Sequence, residues 1–192
     1  EIFARDGLKD VFEMSGISKP PAIFDKTKLR YFNAEYIRAM SAEDFAAVAE
    51  PFIRQAVKNE AIDAAAIAAL LHQRTEVLSE IPEKLDFFDA LPEYDTELFV
   101  HKKSKSDLAS SKEILEKVIP AFEALEAWDD ESILDCMVKM AEAMQVKNAK
   151  VMWPVRIAAA GKAVTPGGAV EICRILGREE TLRRLNVGLN KL

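Results

Sequence analysis

The stretch Leu108-Ala-Ser-Ser-Lys-Glu-Ile-Leu115-Glu-Lys-Val118-Ile-Pro120-Ala-Phe122-Glu-Ala-Leu125 places Leu108, Leu115 and Phe122 seven residues apart, with Val118 and Leu125 three positions on. A helix of about 3.6 residues per turn stacks those positions on one side, whereas a strand would scatter them over both faces. Pro120 is expected to kink this helix or divide it. The same period recurs on either side. Upstream, Phe45, Val48, Phe52 and Val57 form a stripe opened by a capping box in Ser41-Ala-Glu-Asp44. Downstream, Ile133, Met137, Met140 and Met144 form another, and such a methionine row reads as core. Gly161 and Gly177 stand where helices end. Alternating strand patterns are nearly absent, so the expected fold is all-α, built of packed short helices. Breaks are expected at Ser18–Ala22, at Ser79–Pro82, and across Ala90–Ser106, a polar connection between two helical bodies. No internal repeat or low-complexity run is visible.

Composition narrows the function classes. The 192 residues are 49% hydrophobic and 30% charged, too apolar for a disordered tail. Folded as one body, a chain of this length buries about 70% of its unfolded surface. No apolar run approaches the roughly 20 residues that span a bilayer, so no membrane partner is expected. The chain opens on Glu1 without a charged-then-apolar leader, which suggests a fragment or processed chain that is not secreted. Cys136 and Cys173 are too few for a disulfide framework or a zinc site, and a reducing cytoplasm is the expected compartment. His72 and His101 are the only histidines, which excludes zinc-protease and His-x-Gly-His signatures. Phosphate-loop and dinucleotide-binding glycine motifs are also missing. Neither a catalytic residue nor a metal ligand set is readable.

Charge is unevenly divided. Residues 147–192 hold nine basic side chains against three acids, a net +6 on a chain of net −6, so the first 146 residues carry −12. A basic quarter on an acidic body fits either a polyanion footprint or a solvated helical face.

Three places break local rules. In a helix expected from about Ile62 to Leu78, Arg74 falls on the apolar line of Ile67, Leu71 and Leu78, so its guanidinium needs a carboxylate or an external bidentate acceptor. In Trp153-Pro154-Val155-Arg156, Pro154 suits a first helical turn. Arg156 would then lie at the positive end of the dipole, a site better suited to an anion or a stacked base. In Thr165-Pro166-Gly167-Gly168, Thr165 is expected to cap and Pro166 to open a helix, with the glycines admitting close approach of a base or phosphate. Each has a plainer reading: a core-packed arginine stem, surface drift, a capped loop. Lys102-Lys103-Ser-Lys105-Ser106 mimics the signature loop of class I aminoacyl-tRNA synthetases but lacks its setting, and reads as a solvated lysine loop that touches a phosphate backbone at most.

Several stretches together resemble the C-terminal half of bacterial glutamyl-tRNA synthetases. Pro21-Ala-Ile-Phe-Asp-Lys-Thr-Lys-Leu29-Arg-Tyr-Phe-Asn33-Ala-Glu-Tyr36-Ile37-Arg38 is similar to the family's segment after its catalytic loop. Leu78-Ser-Glu-Ile-Pro-Glu-Lys84 with Phe87-Phe88 is similar to the stretch after its anticodon-reading arginine. Pro154–Lys162, Thr165-Pro166 and Leu176–Leu185 are similar to its C-terminal signature. The resemblance implies the end of a stem-contact region (1–40) and two helical anticodon-binding subdomains (41–104 and 105–192) that form a cage. By motif position it gives Arg74 to the third anticodon base, Arg156 to the first, and Thr165 and Pro166 to the turn beside the first and second. The Thr165–Glu171 stretch is one residue longer than the family pattern, so Gly167 or Gly168 would meet the middle base through backbone groups. Phosphate contacts are expected from Lys102, Lys103, Lys105, Lys162 and Arg178. The implied partner is tRNA-Glu, with tRNA-Gln as a second candidate and no DNA. The implied activity is ATP-dependent glutamate–tRNA ligation in a monomer. Its ATP and magnesium belong to a catalytic domain absent from this chain, which itself needs no cofactor. The competing reading is a helical protein-interaction module without RNA binding.

Overall fold

A computed structural model of the chain describes residues 6–17 and 23–192. Over those residues the chain is helical, with one isolated antiparallel bridge between His101 and Ser106 and no strand. The helices are α1 (Leu8–Val11), α2 (Lys26–Ala39), α3 (Ala42–Ala56), α4 (Ala64–Leu71), α5 (Asp86–Asp89), α6 (Leu108–Glu123), α7 (Asp130–Ala143), α8 (Asn148–Ala160), α9 (Ala169–Leu176) and α10 (Arg178–Lys191). Short 3-10 turns join them, among them His72–Arg74, Leu78–Glu80, Pro82–Lys84 and Thr96–Phe99. The break expected at Ser18–Ala22 lies outside the described residues.

Side-chain caps fix five of these ten helix starts. Asp25, Ser41, Asp63, Asp107 and Asp129 each accept backbone N–H groups from the first turn that follows. Gly161 ends α8 at φ 65° and Gly177 ends α9 at φ 79°. These are left-handed backbones that suit glycine.

The apolar periodicity holds in period more than in register. On α3 the buried row is Phe45, Ala49 and Ile53, continued by Val57, while Val48 is exposed and Phe52 half-buried. α6 buries Leu115, Val118 and Phe122, leaves Leu108 exposed, and runs undivided through Pro120 to Glu123. α7 buries Ile133, Met137 and Ala141, with Met140 and Met144 half-buried beside them. α3 and α4 pack on each other as one body. In the other, α8 is the hub against α6, α7, α9 and α10. α4 meets α9 across the two, and the buried apolar side chains form one connected cluster from Ile37 to Leu185.

Two sequence expectations fail here for one reason. A large buried apolar side chain is worth roughly 1.5–3 kcal/mol, and a helix cap only about 1 kcal/mol, so burial sets the boundaries. α8 starts at Asn148 without a side-chain cap because Val151 buries, which leaves Pro154 in the helix interior and Arg156 in its second half. The dipole argument against a cation at Arg156 therefore lapses. The helix expected over 62–78 ends instead at Leu71, and the chain tightens into the 3-10 turn at His72–Arg74. The buried place goes to Thr75, whose hydroxyl donates to the Leu71 carbonyl at 2.9 Å, and Arg74 is exposed. Arg74 does not interrupt the core.

Candidate nucleic-acid interface

The loop 162–168, between α8 and α9, gathers the site. Its path is set at Gly161, where a Cβ would lie 2.9 Å from the Tyr94 ring and 3.0 Å from Pro92. Arg156, one helical turn beyond Trp153, holds its guanidinium carbon 4.5 Å from the centre of that indole. It donates to Thr165 Oγ1 at 2.7 Å and to the Ala163 carbonyl at 3.0 Å. Thr165 Oγ1 in turn donates to the Gly167 carbonyl at 2.7 Å. Thr165 thus braces the loop and does not cap α9, which starts at Ala169 with Gly168 as N-cap and Glu171 accepting the Gly168 N–H at 3.0 Å. Gly167 is buried, and a Cβ there would meet both Leu70 methyls at 3.0 Å, so the loop touches α4 only because this position is bare.

Arg74 reaches the loop from the other body and donates through Nη1 to the Pro166 carbonyl. Between them lies a groove of about 590 Å³ whose lining includes Arg74, Lys84 and Lys162, one carboxylate, Glu83, and the apolar Leu71 and Val164. Val164 is 86% exposed, an apolar side chain offered to solvent in the groove that Arg74 also lines. Burial pushes the Arg156 pKa down, but an arginine keeps its charge in the folded state. The surface offers planar cations, exposed apolar area and backbone carbonyls around one cleft. These are the groups that stack on and hydrogen-bond to unpaired bases.

Arg74, Arg156, Thr165, Pro166, Gly167 and Lys162 are brought together, with Gly168 next to them at the start of α9. Lys162 is paired with Asp86 while lining the groove. Lys102, Lys103 and Lys105 are exposed on a tight turn whose Ser104 and Ser106 are buried. That turn is tied to the site by His101, whose ring stacks on Trp153 at 3.6 Å and 4°. Arg178 does not join. It donates to the Leu125 carbonyl and lies over the Trp128 ring, so its guanidinium serves the fold. The same holds more widely for the basic quarter. Arg174 pairs with Asp130, Arg183 and Arg184 with Glu180, and Lys191 with Glu93. Arg184 is 1% exposed and also donates to the carbonyls of Phe87 and Ala159. The formal +6 of residues 147–192 therefore overstates the charge available to a polyanion.

Sequence reasoning missed Trp153, His101 and Val164. Trp153 had a signal, since a residue three before Arg156 on a helix lies beside it. The stacking of His101, 52 positions from Trp153, had none.

A model of the family described as anticodon binding domain matches residues 44–189. The chain belongs to this family. Glutamate–tRNA ligases of Clostridium tetani and of Clostridium botulinum strain Hall are 47% and 46% identical to it over 192 residues. Those alignments take in all of this chain but only 39% of each relative, so the chain spans well under half their length. Among solved structures, a glutamate tRNA ligase from Elizabethkingia meningosepticum, crystallised in complex with its amino acid, superposes with a TM-score of 0.76 at 25% identity, over 94% of this chain and 35% of that one. A glutamate-tRNA synthetase from Elizabethkingia anophelis shares the fold with a TM-score of 0.77 over 98% of the chain. The matched span takes in both halves of the anticodon-binding-domain cleft, Arg74 on one side and Arg156 with the 162–168 loop on the other.

Proposed function

We propose that this chain is the anticodon-reading part of a glutamate–tRNA ligase, and that its RNA partner is tRNA-Glu. The observation that carries the reading is the convergence of Arg74 and Arg156, 82 positions apart, on one loop. Unstacked anticodon bases enter the cleft. Arg74 offers donors to the third base, where the O2 and N3 edge of a cytosine accepts two of them. Arg156, already flat against Trp153, presents its planar cation to the first. The middle base meets backbone groups of Pro166, Gly167 or Gly168. Lys102, Lys103, Lys105 and Lys162 hold phosphates, which fixes register without reading sequence. Ligation, with its ATP and magnesium, falls to parts of the protein beyond this chain. Among the described residues no group of three or more His, Cys, Asp or Glu side chains could hold a metal. The protein works as a cytoplasmic monomer in this reading.

The test is binding of the chain to labelled tRNA-Glu at low and moderate salt, beside a transcript whose third anticodon base is changed from C to G. Salt-sensitive affinity that drops on the base change is expected. Binding blind to that base, or no binding at low salt, overturns the reading.

A further inference from the structure

Arg74 sits on a segment with little burial of its own: of residues 72–80 only Thr75 is buried. It packs on α3 and α4 and is gripped by side-chain bonds from α2. Along one side of that helix, Arg30 forks onto two carboxylates, donating to Glu76 at 3.1 Å and to Glu80 at 2.5 and 2.9 Å. Asn33 donates to the Glu76 carbonyl at 2.5 Å, and Arg38 to the Gln73 carbonyl at 3.5 Å. The Ile37 carbonyl accepts from His72 Nε2 at 2.9 Å, while the His72 ring stacks on Phe45 of α3 at 4.6 Å. Positions 30, 33, 37 and 38 recur at helical spacing, so one face of α2 grips the segment at Gln73 and Glu76, one residue before Arg74 and two after it.

We infer that Arg30 is a positioning residue for third-base recognition: it sets Arg74 without touching RNA, and α2 is the splint through which it does so. This rests on the reading of Arg74 as the third-base contact. Arg30, Glu76 and Glu80 keep roughly 43%, 48% and 33% of their side-chain surface exposed, and ion pairs so exposed add little to global stability. A fork onto two carboxylates is nonetheless geometrically exacting. Arg30 also neutralises the carboxylate two residues from Arg74. The contribution of Arg30 is therefore to geometry more than to folding, and it acts on one anticodon position only. Arg156, on the other body, does not depend on it.

The experiment measures affinity of the full chain for three tRNA-Glu transcripts: unchanged, third base C to G, and first base replaced. In the unsubstituted chain both changes weaken binding. In Arg30→Ala the third-base penalty is expected to shrink by about tenfold, the size of a modest bidentate base contact, while the first-base penalty stays. Should Arg30→Ala fold poorly, Arg30→Lys keeps the charge without the fork and is expected to lose part of the third-base penalty. If the third-base penalty survives both substitutions, or if both penalties fall together, the positioning role is overturned and the reading of Arg74 stands. If the unsubstituted chain ignores the third base, the reading of Arg74 fails and takes this inference with it.

Discussion

Arg74 and Arg156 are opposite cases at the scale of the residue. Both stood out in the sequence for reasons that the structure replaces: Arg74 was placed in a buried stripe and is exposed, and Arg156 was placed at a helix start and lies in its second half. Both nonetheless donate to one loop, and the proposal for them rests on that contact and not on the helix boundaries. A guanidinium beside a proline–glycine turn is useful wherever the helix boundaries fall, and motif position located both arginines where hydrophobic register did not. The structure adds what neither route could see. Arg156 is held by Trp153, Thr165 and Ala163, while Arg74 donates to Pro166 on the opposite body. Replacing Arg74→Ala is expected to cost about 1–3 kcal/mol of preference for C over G at the third base, with little effect on folding. Titrations of the two transcripts would show it, and equal losses for both would refute it.

At the scale of the element, the helical class, the Ser41 cap (though not the reciprocal half of its box) and the glycine ends of α8 and α9 were legible because each depends on a few adjacent residues. The boundaries of α4 and α8 were not. They are set by which side chains find the core, and that depends on partners far along the chain. α8 shows the limit: Lys147 offers no cap, and the start signal at Pro154 is overridden by the burial of Val151 one turn earlier. Gly161 links this helix to the site. An alanine there meets Tyr94 and Pro92 and must also hold φ 65°. The left-handed backbone alone costs about 1–2 kcal/mol. Gly161→Ala is expected to lower stability by at least that amount in denaturant titration and to weaken RNA binding as the 162–168 loop shifts. Unchanged stability would contradict the packing described here.

At the scale of the whole molecule, electrostatics divide into charges that hold the fold and charges that face solvent, a division that counting residues could not make. The lysine turn belongs to the second group. Replacing Lys102, Lys103 and Lys105 together by alanine is expected to flatten the slope of log affinity against log salt by roughly 2, at about 0.7 per phosphate released from single-stranded RNA. A slope left unchanged would remove these lysines from the RNA path. Glu180 belongs to the first group. Hydrogen bonds from Arg183, then Arg184, outweigh its partial burial and carry its pKa from the ordinary 4.5 down to about 2. A carboxyl with a depressed folded pKa adds stability that is complete above its unfolded value and is lost as pH falls. Melting temperature should therefore decline from about pH 5 toward pH 2, and Glu180→Gln should flatten that decline while lowering the plateau at neutral pH.

The bond from Arg74 to the Pro166 carbonyl spans the two bodies and has a consequence for fidelity. On the proposed reading, a base arriving at Arg74 meets an exposed guanidinium that keeps one donor on Pro166 and has further N–H groups to offer. A mismatched base strands no buried donor, because Arg74 is exposed and stays on Pro166. Discrimination at this position would then be capped near the worth of the hydrogen bonds that the base itself accepts, well below the full cost of an orphaned buried cation. An error filter of this kind works by preference, not by exclusion, and selectivity above that ceiling has to come from the other anticodon positions acting with it.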